Sequence, residues 1–198
     1  MKRDPSKRLI IGITGASGAV YGIRTLGLLR QKDFETHLVL SETGKKVIEL
    51  ETDYTAGDVE AMADFTYDDS DLSAPIASGS FLTGGMIIVP CTVKTLSGVA
   101  NSYANNLIER AADVTLKEKR KLVLVVRETP LHKGHFRLMS LAADMGAHIL
   151  PPMPAFYHRP EKIQEIIDQT VGKIFDYFEI DHDLFKRWGE EDAREEGD

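Results

Sequence analysis

The stretch Leu9-Ile10-Ile11-Gly12-Ile13-Thr14-Gly15-Ala16-Ser17-Gly18-Ala19 decides the fold. Leu9 to Thr14 is a short apolar, β-branched run without polar alternation, the pattern of a strand buried on both faces. Small residues then turn the chain, and Tyr21, Ile23, Leu26 and Leu29 follow at helical spacing. A doubly buried strand passing at once into an amphipathic helix opens a parallel β-α-β unit.

Outward from this stretch the alternation repeats. Thr36 to Leu40 is a second strand, and Ser41 is placed to cap a helix reaching about Glu51. Met86 to Val89 is the third, closed by Pro90, and Leu122 to Val126 the fourth, with Arg127, Glu128 and Pro130 beyond it. A helix from about Gly134 to Met145 leads to the strand His148 to Leu150, closed by Pro151-Pro152, and Glu161 to Phe178 is the last long helix. The expected class is α/β, a doubly wound parallel sheet with helices on both faces in a single domain. Residues 1–8 read as a flexible leader, 9–189 as the domain and 190–198 as a solvated acidic tail.

Composition narrows the function classes. With 198 residues, 42% of them hydrophobic, the chain buries a proper core. The balance of 24 Lys+Arg against 31 Asp+Glu gives a net charge of −7, the wrong sign for a partner that is a nucleic-acid backbone or an anionic membrane. The run Leu9–Ile11 is too short for a signal peptide or a membrane span. Cys91, the single cysteine, makes no internal disulfide and reads as a buried structural thiol, which fits a cytoplasmic protein. The histidines are scattered, with His132 and His135 the one close pair, and no spacing of metal ligands is present, so no metal is expected.

In such sheets ligands bind beyond the carboxyl ends of the strands. After the first strand, Gly15–Gly18 offers backbone approach and helix-start amides, where a phosphate is expected. The spacing is not Gly-x-Gly-x-x-Gly, and Glu35 or Thr36 makes a poor ribose-binding acid, which disfavours NAD. Pro90-Cys91-Thr92-Val93-Lys94-Thr95 brings two hydroxyls and Lys94 to another helix start, either as a second grip on the ligand or as an ordinary N-cap by Thr92. Arg127-Glu128 is either an ion pair capping its strand or an anion-binding guanidinium beside a proton-relaying carboxylate. Lys119, Arg120 and Lys121 read as a solvated run.

Taken in order, Gly15-Ala16-Ser17-Gly18-Ala19, Ala77-Ser78-Gly79-Ser80, Pro90-Cys91, Asn106 to Val114, Leu116-Lys117-Glu118, Arg127-Glu128-Thr129-Pro130, Pro154-Ala155-Phe156-Tyr157-His158 and Arg187-Trp188-Gly189 resemble the UbiX-type flavin prenyltransferases over about Leu9 to Gly189. The resemblance implies a flavodoxin/Rossmann-like homo-oligomer, often a dodecamer. It would join a dimethylallyl group from dimethylallyl phosphate to N5 of reduced FMN and close a ring at C6, without metal. The product, prenylated FMN, would serve a UbiD-type decarboxylase.

Position by position, the resemblance assigns flavin binding to Gly15, Ala16, Ser17, Ser41, Thr92, Val93, Lys94, Thr95 and Arg110. Catalysis falls to Glu128, Lys117, Tyr157 and Arg127, and the substrate phosphate to Lys117, Arg127, Tyr157 and Lys173, the last standing where some members have arginine. Leu72 stands where some relatives have tryptophan, which bears on cation stabilisation and on the choice between phosphate and pyrophosphate donors. Two other readings use the same flavin loops: an FMN-dependent cysteine decarboxylase, and a non-catalytic flavin-binding subunit. The first lacks the Pro-Ala-Ser-Ala-Asn-Thr motif here, and the second has no use for Lys117, Arg127 and Glu128.

Overall fold

A computed structural model describes residues 4–189; the acidic stretch 190–198 lies outside the described residues. The chain divides into two compact units, one ending at Pro152 and the other beginning at Met153. The first holds six strands, β1 (Arg8–Ile13), β2 (Glu35–Leu40), β3 (Phe65–Asp68), β4 (Gly85–Cys91), β5 (Lys121–Val126) and β6 (Ala147–Ile149). Its helices are α1 (Ala19–Gln31), α2 (Glu42–Glu51), α3 (Ala56–Glu60), α4 (Val93–Ala100), α5 (Leu107–Lys117) and α6 (Lys133–Asp144).

All six strands are parallel, in the order β3-β2-β1-β4-β5-β6. Without β3, the remaining five are ordered 2-1-3-4-5, the flavodoxin arrangement; with it the order is 3-2-1-4-5-6, that of dinucleotide-binding sheets. In both, the order reverses between β1 and β4, so the loops after these strands part there and leave a crevice.

Side-chain alternation gives the sheet two apolar faces. Ile10, Met86, Ile88, Leu122 and Leu124 share one buried cluster with Leu107, Ile108 and Ala111 of α5 and Leu96 of α4. On the other face Ile13 lies against α1, closely enough that a Cβ at Gly22 would collide with it. Helices therefore cover both faces, as the unbroken apolar runs require.

Four details depart from the sequence reading. β3 is not among the expected strands, because Phe65-Thr66-Tyr67-Asp68 is a half-exposed edge strand leading into an acidic stretch. β4 continues through Pro90 to Cys91, since its pairing with β5 shifts register between Ile88 and Cys91, where a residue without an N–H is tolerated. Residues read as a flexible leader are shaped: Pro5–Lys7 form a 3₁₀ turn capped by Asp4, and Arg8 already belongs to β1. Arg120, expected in solvent, donates to the Phe81 and Gly79 carbonyls at 2.9 and 2.7 Å.

The second unit is built on α7 (Ile163–Phe178). Asp176 gathers His182 at 3.0 Å and Arg187 at 2.8 Å, and the ring of Phe185 fills the space left by Gly172. Burial raises the Asp176 carboxyl, but the bonds from Arg187 and His182 outweigh it and hold the group below its usual range.

Candidate active site

The crevice between β1 and β4 is fastened by a residue the sequence reading left unassigned. The buried Thr14 hydroxyl donates to the Pro90 carbonyl at 2.8 Å and accepts the Thr92 N–H at 2.9 Å, tying the two loops at the switch point. On the other flank, Ser41 N–H donates to the Ile13 carbonyl at 3.0 Å, and the Ser41 hydroxyl accepts from Gly44 N–H at 3.0 Å as the cap of α2. Gly15 is required here, because any Cβ would strike the Thr43 side chain. Thr92 does cap α4: its hydroxyl accepts from Thr95 N–H at 3.1 Å and donates to the Thr95 hydroxyl at 3.0 Å.

Ser17, Gly18, Tyr21, Glu51, Arg127 and Pro152 line a cavity of about 340 Å³ at this end of the sheet. Glu51 corrects one expectation. Its carboxylate accepts the Gly18 and Ala19 amides at 2.7 and 3.2 Å, so the α1 amides expected to meet a phosphate already hold an anion of the chain itself. Burial raises the Glu51 carboxyl, yet bonds from the Ser17 hydroxyl and from these two amides, together with the Arg127 charge, bring it below its ordinary value. Glu51 was missed because its partners are more than thirty residues away. The one local hint was an acid in the last turn of α2, where the helix dipole disfavours it.

Arg127 faces this cavity, and its N–H donates to the Cys91 carbonyl at 3.1 Å. Glu128 is exposed, and its carboxylate accepts the Thr129 N–H at 2.9 Å. Among the described residues the two side chains make no ion pair with each other, so the strand-capping alternative does not hold.

The remaining cations do not join them. Lys117 ends α5 near the start of β5, bonded to Glu118 at 2.7 Å beside Gly79. Arg127 follows the end of that strand, and six residues at about 3.3 Å each separate the two by ~20 Å. Arg110 stands earlier on α5, donating to the Ala77 carbonyl at 3.1 Å and to Asp113 at 2.9 Å. One copy of the chain therefore does not bring Lys117 to Arg127. Ser78 and Ser80, whose hydroxyls meet at 2.9 Å, lie in the loop leading from Ala77 towards Lys117.

In the second unit, Tyr157 is 43% exposed and meets the ring of Trp188 edge-on, 5.7 Å between centroids. Trp188 is itself 82% exposed; the sequence showed it only as part of a terminal motif. Lys173 pairs with Asp176 at 3.5 Å and lies over the Phe185 ring. Leu72, beyond β3, is 51% exposed. Cys91 is fully buried, and burial pushes its thiol far up, which removes it as a nucleophile at neutral pH.

Residues 1–187 match a protein family described as Flavoprotein. The flavin prenyltransferase UbiX of Escherichia coli (strain K12) is 57% identical over 185 residues, covering 92% of this chain and 98% of that protein. A crystal structure of AnUbiX (PadA1) in complex with FMN and dimethylallyl pyrophosphate superposes with a TM-score of 0.91 at 47% identity, covering 92% of this chain and 97% of the other. A dodecameric FMN-dependent UbiX-like decarboxylase from Escherichia coli O157:H7 gives a TM-score of 0.90 at 49% identity, covering 91% and 98%. Among the described residues no helix is long and apolar enough to cross a membrane, and no group of three or more His, Cys, Asp or Glu side chains is arranged to hold a metal ion.

Proposed function

This chain belongs to the UbiX family of flavin prenyltransferases, and we propose that it transfers a dimethylallyl group from dimethylallyl phosphate to N5 of reduced FMN and closes a further ring at C6, yielding prenylated FMN for a UbiD-type decarboxylase. The observation that carries the reading for this chain is the switch-point crevice, where Ser17, Glu51 and Arg127 face one cavity. Bound FMN, in its reduced form, supplies the nucleophilic N5 and C6 positions.

The residues present fit a flavin. Because Glu51 takes the α1 amides, the Gly15-Ala16-Ser17 turn would hold the flavin by its ring system and not by its phosphate. Phosphate recognition moves to the start of α4, where the amides of Val93 and Lys94 have no intrahelical partner by position and Thr92 and Thr95 supply hydroxyls. Ser41 borders the same crevice from the α2 side.

Glu51, with its lowered pKa, is a weak base. It acts as a fixed negative charge beside Ser17, favouring positive charge that develops on the allyl fragment. Proton removal falls to Glu128, whose exposed carboxylate is bound, among the described residues, only to its neighbour's amide. Arg127 and Lys117 stabilise the departing phosphate, a role that the family resemblance gives also to Lys173 and Tyr157 of the second unit.

Since Lys117 stands far from Arg127 in one copy, we assign it to a neighbouring copy's site within a homo-oligomer. The twelve-copy assembly of the UbiX-like relative supports this arrangement. The lone buried thiol of Cys91 supports a cytoplasmic placement.

The test is anaerobic incubation of the purified protein with reduced FMN and dimethylallyl phosphate, followed by mass spectrometry of the flavin. A flavin heavier by one dimethylallyl unit, lost in Glu128→Gln, is the expected result. Unchanged flavin with this donor and with the pyrophosphate overturns the reading.

A further inference from the structure

We propose that the groove between α4 and α5 is a two-fold contact between copies of this chain, in which Lys94 of one copy meets Glu109 of its partner, and the reverse. The groove encloses about 390 Å³ and shares no lining residue with the Ser17–Arg127 cavity. Its floor is Glu109, only 3% exposed, packed beneath Gly98, where a Cβ would come within 2.6 Å of the carboxyl carbon. That carboxylate accepts the Asn105 N–H at 2.8 Å, and among the described residues no cation lies within ion-pair distance of it. Lys94 lines the same groove, is exposed, and likewise has no ion pair among the described residues.

The local charge is unbalanced. Asp69, half-buried beside the start of α5, has its carboxyl pushed up by burial and then by Glu109, against the Ile108 amide it accepts and, less strongly, Lys94. Two carboxylates thus share the field of one ammonium. A buried carboxylate whose one bonded donor among the described residues is a backbone amide has accepting capacity left for an arriving cation.

A two-fold axis supplies the cation without any other molecule. In an isologous contact residue i meets j and j meets i, so a single rotation satisfies both Lys94 and Glu109 in both copies. The groove suits such an approach: Ser97 and Gly98 are small, and Tyr103, 66% exposed at the rim, is of the residue class that interface cores favour. Two chains of net charge −7 repel, which makes a reciprocal cation–carboxylate pair a fitting device for holding them together.

This inference rests on the homo-oligomer reading above, and sedimentation velocity of the full chain, with and without FMN, separates the two. A monomeric wild type overturns both. Given an oligomeric wild type, Lys94→Glu is expected to lower the assembly mass at least twofold, since losing a symmetric contact splits the assembly into equal parts, whether or not FMN is present. Glu109→Gln, which keeps the acceptor for Asn105, lowers it in the same direction, and the exchange K94E/E109K restores it. Lys94 is exposed, so its variant is expected to fold, with a wild-type circular dichroism melt as the control. Wild-type mass in folded Lys94→Glu, dissociation only when FMN is withheld, or no recovery in a folded exchange variant overturns the contact.

Discussion

Two charged clusters occupy opposite ends of the same sheet. At the amino end, Glu35 accepts from Arg8 and from His37 Nε2 at 2.9 Å, and His37 Nδ1 accepts the Tyr67 hydroxyl at 2.8 Å. The carboxylate can only accept, so the imidazole proton sits on Nε2. Phe65 stacks on the His37 ring at 4.8 Å and Phe81 meets it edge-on at 5.1 Å. At the carboxyl end, Arg127 and Glu128 are exposed and share no bond. The first cluster is closed on itself and fastens edge strand β3; the second keeps donors and acceptors open for a ligand. Charge alone does not mark a reactive site. Open hydrogen-bonding capacity beside a crevice does.

The sharpest way to break this comparison is Glu128→Gln, expected to lower prenyl transfer about 10²–10⁴-fold while leaving the melting temperature unchanged, as loss of a proton-transfer group does. A melt that falls with the rate would make Glu128 structural. Glu35→Ala should do the opposite, costing about 3–5 kcal/mol of stability in urea titrations by stranding Arg8 and His37, with turnover per folded molecule unchanged.

Next in size is a pH effect. Burial lowers the His37 pKa, with Arg8 adding to the drop and Glu35 and Asp64 opposing it. The unfolded chain therefore binds a proton that the folded chain refuses. This contribution to stability is complete above about pH 6.5 and is lost as pH falls through the lower folded value, at no more than ~1.4 kcal/mol per pH unit. Urea midpoints on either side of that pH should separate more in the wild type than in His37→Gln, and equal separations would discount His37. Smallest is Glu51→Gln, which keeps an oxygen for the Gly18 and Ala19 amides but removes the charge at the α1 start. A loss of about 0.3–1 kcal/mol by thermal melt is expected, and a much larger one would make the carboxylate a keystone of the fold.

What was legible in the sequence follows a pattern. The four inner strands announced themselves by short apolar runs, β6 by the Pro151-Pro152 that closes it, and Ser41 and Thr92 by their position before helices. β3 did not, because an edge strand is half-solvated and carries no such run. Of the site, the loops after β1, β4 and β5 were found by the strand-end rule together with the family resemblance. Thr14 and Glu51 were not, since their roles are bonds to residues far along the chain.

By itself the sequence determined the alternation of strand and helix, the helix caps and the inventory of charged groups, because these depend on neighbours a few residues apart. Only the tertiary structure decided that Glu51 fills the α1 amides, that Arg127 faces Ser17, and that Lys117 stands a strand's length away from both. Those facts depend on which strand ends the topology brings together, and a parallel sheet joins residues that no local pattern relates.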